Sequence, residues 1–423
     1  MCHKGTVKKI KAWDTGKNLM TTLTDPPKES FRLSMLLNDT RYRSLTMQAI
    51  AALLLALAIV YLGNNLIQNL RAAGLNISYG FLGSASNYDI NQTLIEYSSR
   101  STHLRAAVVG ILNTLLVAFL ACVTATVFGV LAGVLRLSPN WLVRKLMAVY
   151  VEIFRNIPVL IWIIIIFTVM TASMPAPSAF RGEDPASSML LGAFAFTNRG
   201  VYVPAPVWGA GSLVVVVVFI LSIIGVFAYR RYATKLLYDT GRLLPMFWPS
   251  VGILLLPAIL AYFIMGSPIS LDYPELRGFN FGGGIKIGAP LIALWFALSI
   301  YTGAFIAENV RAGIQAVSKG QTEAAAALGL RPGRVMNLVV LPQALRVIIP
   351  PLISQYLNIT KNSSLAIAVG YADVTATLGG ITLNQTGRAI ECVLLLMLFY
   401  LTISLLISAF MNVYNNANKL KER

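Results

Sequence analysis

Residues 318–351 read SKGQTEAAAALGLRPGRVMNLVVLPQALRVIIPP, a short charged, alanine-rich stretch between two long apolar segments. Ser318 followed by Gln321 has the form of a capping box. The run from Glu323 to Leu328 favours helix, because alanine loses no side-chain entropy on ordering. Gly329 stands where a helix ends in a left-handed C′ residue, and Pro332 blocks continuation. The spacing predicts about two turns of helix, too short to persist alone in water. It is also too short to cross a bilayer. Alanines 324–327 make a thin rod whose backbone another protein surface can approach closely. An ordinary connecting helix would share this pattern.

Outward from that stretch, the chain is a membrane protein. Of its 423 residues 56% are hydrophobic and 12% charged, against about 25% charged in soluble domains. Apolar runs reach the ~20 residues a helix needs to span a bilayer. The expectation is an all-α, polytopic transmembrane bundle. About eight spans are predicted, near 45–62, 106–134, 148–172, 207–228, 246–265, 289–307, 345–366 and 389–411. The formal charge of +17 sits at span ends, the pattern of the positive-inside rule, and not in phosphate-binding patches, so nucleic acid is excluded as a partner. Cys122 and Cys392 lie within apolar runs and Cys2 in the N-terminal segment, which suggests no disulfide. His3 and His103 have no ligand spacing around them, so no metal site is readable. The chain has no G-x-x-x-x-G-K-[ST] phosphate loop, which places any ATP chemistry on another chain and leaves this one without a cofactor.

The organisation follows from these runs. Residues 1–44 are a basic tail, and 45–105 hold the first span and a polar loop. Residues 106–173, 174–288, 289–415 and 416–423 then form successive segments, with the charged stretch 308–343 inside 289–415. Eight spans put both termini on one side. With the tail in the cytoplasm, 25 Lys/Arg fall inside and nine outside, which sets the orientation and puts 308–343 in the cytoplasm.

Glu323-Ala324-Ala325, then Gly329, then Leu341-Pro342 resembles the EAA loop of permease subunits in ATP-driven (ABC-type) importers. The phrase EAAAALG…LPQALR…PP, followed by Lys361-Asn362-Ser363-Ser364-Leu365, resembles the polar amino acid branch of that family. Arg136-Leu137-Ser138-Pro139-Asn140, Arg155-Asn156-Ile157-Pro158 and Asn198-Arg199-Gly200 are similar to the general L-amino-acid permeases. The resemblance implies a type I ABC importer permease fold with core 106–173 and 289–415, and an inserted pair of spans at 174–288. It implies a bacterial inner-membrane subunit that moves L-amino acids. Expected partners are an ABC ATPase dimer carrying ATP and Mg, a second related permease subunit, a periplasmic amino-acid-binding protein and membrane lipid. Glu323, Ala324, Ala325, Gly329 and Pro342 would form the ATPase-coupling element.

A zwitterionic amino acid needs polar partners along its path, because burial without them costs several kcal/mol. Polar groups in apolar spans are the candidates: Asn113 and Thr114, Tyr301 and Thr302, and the cluster Asn358, Thr360, Lys361, Asn362, Ser363 and Ser364. Lys361 suits a substrate carboxylate, and Glu391 or Asp373 an ammonium. Interhelical hydrogen bonding is the competing use of such residues. Glu152/Arg155 and Glu308/Arg311 share a three-residue spacing that predicts ion pairs bracing the inner mouth. An ion-gradient-driven transporter is the rival reading. It would more often show inverted repeats, broken spans and mid-membrane carboxylates, whereas this chain has few acidic residues in its spans. No nucleophile, metal or acid/base constellation points to an enzyme.

Overall fold

The structure, a computed structural model, describes residues 40–417 apart from 73, 75, 183, 184 and 243. Most of the predicted basic tail and the Lys419, Lys421 and Arg423 end lie outside the described residues. The chain divides after Ile77 into two units. The described part of the first is essentially one helix, α1 (Thr40–Ala72). Its 33 residues reach roughly 50 Å, more than a bilayer core.

The second unit holds α2 (His103–Leu135), α3 (Trp141–Asn156), α4 (Val159–Ser173), α5 (Ser212–Thr240) and α6 (Phe247–Ile264). After these come α7 (Ala289–Gln315), α8 (Lys319–Ala327), α9 (Leu341–Asn362) and α10 (Ala389–Ala417). Among the described residues seven helices are long and apolar enough to cross a membrane, or eight if one bent pair counts as a span. That pair, α3 and α4, replaces the single span predicted at 148–172 and turns by 105°. The cause is local. Pro158 disfavours helical backbone at the residue before it, and Ile157 is extended at φ −107°, ψ 132°.

The core of the second unit is the packing of α2, α4, α7 and α9 around Val117, Ile163, Leu294, Leu298, Ile306, Ile348 and Ile359. Lipid supplies no hydrophobic drive between helices, so close van der Waals approach has to do it. Gly129 and Gly133 of α2 provide that approach. A Cβ on Gly129 would lie 2.5 Å from Cβ of Ile306, and one on Gly133 would lie 2.7 Å from the Ala307 carbonyl oxygen. Polar contacts add to this packing: Trp295 Nε1 of α7 donates to the Thr124 hydroxyl of α2 at 3.1 Å, and the Thr126 hydroxyl of α2 meets that of Tyr356 on α9 at 2.8 Å.

The all-α expectation needs one correction, in the segments flanking α5 and α6. These carry seven short strands: β1 (Ala195–Thr197), β2 (Gly200–Val203), β3 (Ala205–Trp208), β4 (Ile269–Asp272), β5 (Glu275–Arg277), β6 (Asn280–Gly282) and β7 (Ile285–Gly288). They form an antiparallel β1-β2-β7 sheet, an antiparallel β3-β4 pair that joins the two ends of the α5–α6 segment, and a β5-β6 hairpin. Ala195, Tyr202 and Phe281 give the module its own small core. Gly200, at φ +135°, lets β2 approach β7, where a Cβ would fall 2.2 Å from the Ile287 carbonyl oxygen. Helix α5 therefore starts at Ser212 and not near 207, since 205–208 pairs as a strand.

Candidate functional site

The stretch 318–351 folds largely as its sequence predicts. Helix α8 has nine residues. Gly329 follows it at φ +77°, with Gly329 N–H donating to Ala326 O at 2.9 Å and Leu330 N–H to Ala325 O at 3.4 Å. These two bonds are a Schellman ending, and they satisfy carbonyls that the helix leaves open. The start differs from expectation. Ser318 makes no side-chain cap, and Gln321 instead accepts from Gln343 Nε2 at 3.5 Å. Ala325 is buried with Val335 and Val340, so its side chain fastens α8 to its own chain and is not offered outward. Glu323, Ala324, Ala326 and Ala327 are exposed, and Leu328 is 82% exposed. Pro342 is exposed near the start of α9, directly after a π turn at Met336–Val340. A proline has no N–H to continue the ladder, which accounts for the widened turn beside it.

Helix α9 carries the polar cluster to its end at Asn362, and Ser363–Val369 then tightens into 3-10 turns before the left-handed Gly370. Three members donate their hydroxyls back to the carbonyls of the preceding turn. Ser363 is fully buried and donates to Thr360 O at 2.7 Å, and Ser364 donates to Lys361 O at 2.8 Å. Thr360 is likewise buried and donates to Tyr356 O at 3.0 Å, and Asn362 is half-buried. Asn358 and Lys361 are exposed, three residues apart on one helical face. Ser354, also exposed, extends the row by one turn. The sequence reading missed Ser354, although its four-residue step to Asn358 was a visible signal. On the opposite face Ile348 and Ile359 enter the core.

Asn113 and Thr114, in the third turn of α2, are fully buried. Asn113 Nδ2 donates to Gln92 O at 2.8 Å and Ala372 O at 2.9 Å. The Thr114 hydroxyl accepts from Val374 N–H at 3.1 Å and donates to Gly110 O at 2.9 Å. They clamp two loops to the bundle, which is the interhelical use of such residues. Tyr301 packs against Phe305 with the rings tilted at 55° and centroids 5.1 Å apart, and Thr302 is buried beside it. Of the proposed ammonium partners, Glu391 is engaged by its own chain, and Asp373 by one oxygen while its buried Oδ2 has no hydrogen-bond partner. Asp373 Oδ1 accepts from Ala376 N–H at 2.8 Å, and burial pushes its carboxyl up to about 6. Glu391 accepts from Ser78 N–H at 3.0 Å and from Arg388 at 3.3 Å.

Beside this clamp, lined in part by Gln92 and Ala372, lies a cavity of about 700 Å³. Apolar walls come from Phe167, Leu291 and Ile367, and polar groups from Asp89, Asn198, Arg199, Lys286 and Asn384. Three of those polar residues belong to the strand module, which Gly200 and the Arg199 carbonyl tie to the start of α7 (Ala289 N–H to Arg199 O, 3.2 Å). At the opposite end of the bundle, Glu308 pairs with both Arg311 and Arg136. The matching Glu152/Arg155 pair does not form. Arg155 lies 5.1 Å over the Phe305 ring, and Glu152 accepts from Asn156 at 3.3 Å.

Residues 223–419 match the family described as binding-protein-dependent transport system inner membrane component. The chain is 50% identical to the glutamate/glutamine/aspartate/asparagine transport system permease protein BztB of Rhodobacter capsulatus, across 96% of this chain and 100% of that one. It is 43% identical to the general L-amino acid transport system permease protein AapQ of Rhizobium johnstonii, across 93% and 96% of the two chains. A crystal structure of an amino acid ABC transporter with histidines aligns with 74% of this chain and 95% of that one, at 19% identity and a TM-score of 0.43.

Proposed function

We propose, from the premise that this chain belongs to the amino acid permease subunits of ABC importers, that the substrate passes along the exposed Ser354–Asn358–Lys361 face of α9. The chain is the membrane subunit of the import reaction and does not itself catalyse a covalent step. The observation that carries the path is the polar face itself. A lysine and an asparagine exposed on a span do not belong against acyl chains, where such groups are costly and commonly line a water-filled path or a partner. Lys361 offers an ammonium to a substrate carboxylate. The cavity bounded by Asp89, Arg199 and Lys286 suits the arriving zwitterion at the outer end. The name of the Rhodobacter relative supports acidic amino acids and their amides as substrates.

In this reading the rest of the machine lies on other chains. A second, related permease subunit covers the polar face of α9, and a periplasmic binding protein delivers the substrate. An ATPase dimer, holding ATP and Mg, receives α8. The inner membrane is the site, with both termini and 229–245 in the cytoplasm and 174–206 and 266–288 outside, as the Lys/Arg distribution supports.

Two measurements test this. In proteoliposomes holding the assembled transporter, Lys361→Met should cut ATP-dependent uptake roughly tenfold, the loss of one charged contact, with ATPase assembly intact. Unchanged uptake for every amino acid tested removes Lys361 from the path. Separately, Ser178 and Thr234 are both exposed. A single cysteine at Ser178 should react with an impermeant thiol reagent on whole spheroplasts, and one at Thr234 should not. The reverse pattern would invert the topology.

A further inference from the structure

The end of the bundle that carries α8 also carries a second, unassigned concavity, and we propose that it binds the phosphate of an anionic phospholipid. It has a volume of about 350 Å³ and lies between the end of α2, the start of α3 and the end of α7. Arg136, Arg144, Lys145 and Arg311 line it, with Trp141. Four cations thus converge on a site where Glu308 is the one carboxylate engaged, and it is already shared by Arg136 and Arg311. Among the described residues no carboxylate pairs with Arg144 or Lys145. Glu152, the acidic residue of α3, is turned to Asn156. A basic concavity between membrane helices is suited to an anionic headgroup.

The placement of α3 decides for lipid over a soluble anion. The helix is bent 105° away from α4, so it does not continue the direction of that apolar segment. Leu142, Leu146, Val149 and Ile153, at i, i+4, i+7 and i+11, form an exposed apolar row beside the basic flank. Trp141 at its start is 66% exposed. One apolar flank open to the surroundings, one basic flank and an exposed tryptophan are the marks of a helix lying in the membrane interface. On its other side, Met147, Tyr150 and Phe154 face a groove that is almost wholly apolar. Helix α3 therefore separates a surface suited to headgroups from one suited to hydrocarbon, and the basic concavity opens at headgroup level. The shared chemistry of lipid and free anion is a phosphate oxygen held by guanidinium and ammonium groups.

The test uses the whole purified transporter in detergent with equal amounts of phosphatidylglycerol and phosphatidylcholine, and counts retained lipids by native mass spectrometry. Wild type should retain phosphatidylglycerol in preference to phosphatidylcholine. The double variant Arg144→Gln/Lys145→Gln, which alters exposed side chains only, should lose that retention roughly tenfold or more, since two surface cations are removed. Arg231→Gln/Lys235→Gln, an equal charge change on α5, should retain it. Equal retention by the Arg144/Lys145 variant and wild type overturns the site, as does equal uptake of both lipids by wild type. A parallel titration with inorganic phosphate separates the sources. Millimolar phosphate should leave the bound phosphatidylglycerol in place, and its full displacement would mean a site for free anions and overturn the lipid assignment.

Discussion

Gly329→Asp should give a permease that inserts and folds normally yet has lost productive coupling to the proposed ATPase partner. Gly329 holds φ +77°, and nothing lies within 4 Å of the position a Cβ would take. Within the chain the change therefore costs only the left-handed backbone penalty of roughly 1 kcal/mol. A charged side chain would project from the end of α8 beside the 82% exposed Leu328, on the surface we assign to the partner. Glu323→Lys reverses a charge on the same exposed helix. Gly329→Asn isolates the charge, because asparagine matches aspartate in shape and, like it, tolerates the left-handed region. Uptake should fall roughly tenfold or more for Gly329→Asp and Glu323→Lys, equivalent to losing ~1.4 kcal/mol or more of docking, and far less for Gly329→Asn. Ala325→Asp should behave differently and loosen the loop itself, since it buries a carboxylate against Val335 and Val340. ATPase co-purification, substrate-stimulated hydrolysis and uptake can be followed in one reconstituted system. Wild-type values in all three for Gly329→Asp and Glu323→Lys would reduce the stretch to a connecting loop.

A second large effect is expected inside the bundle, where Gly129→Leu should destabilise the permease without touching any coupling or path residue. The new Cβ would sit 2.5 Å from the Ile306 side chain and 2.9 Å from the Gly303 carbonyl oxygen. A side chain can swing aside, but a backbone carbonyl on α7 cannot, so α2 and α7 must part. Overpacking of this kind costs about 3 kcal/mol, and in a bilayer the separated helices gain no hydrophobic compensation. Gly252→Leu is the control, because its nearest neighbour is Leu256 Cδ1 at 3.8 Å. That change should fall within about 0.5 kcal/mol of wild type. Unfolding of the purified protein by heat or denaturing detergent reads the difference. Equal stability of Gly129→Leu and wild type would refute the close-packed α2–α7 interface.

The features legible in the chain alone are those that depend on near neighbours. Length and apolarity mark the spans because each helix must satisfy its own backbone in lipid. Gly329 marks the end of α8 because a left-handed residue carries its preference with it. Partnership is a different matter. Asn113 and Asn358 look alike as polar residues of apolar spans, yet one is buried against the Gln92 and Ala372 carbonyls and the other is exposed. Glu152/Arg155 and Glu308/Arg311 have one spacing and two outcomes, because the Phe305 ring lies under Arg155 while Arg136 joins Glu308. The β2–β7 pairing joins residues more than eighty positions apart across two helices, beyond the reach of any local periodicity. A polar side chain costs the same to bury whatever its later partner, so composition shows that a partner is needed. Which atom meets the need, a neighbouring carbonyl, a ring, a second subunit or a passing substrate, depends on how distant segments pack around it.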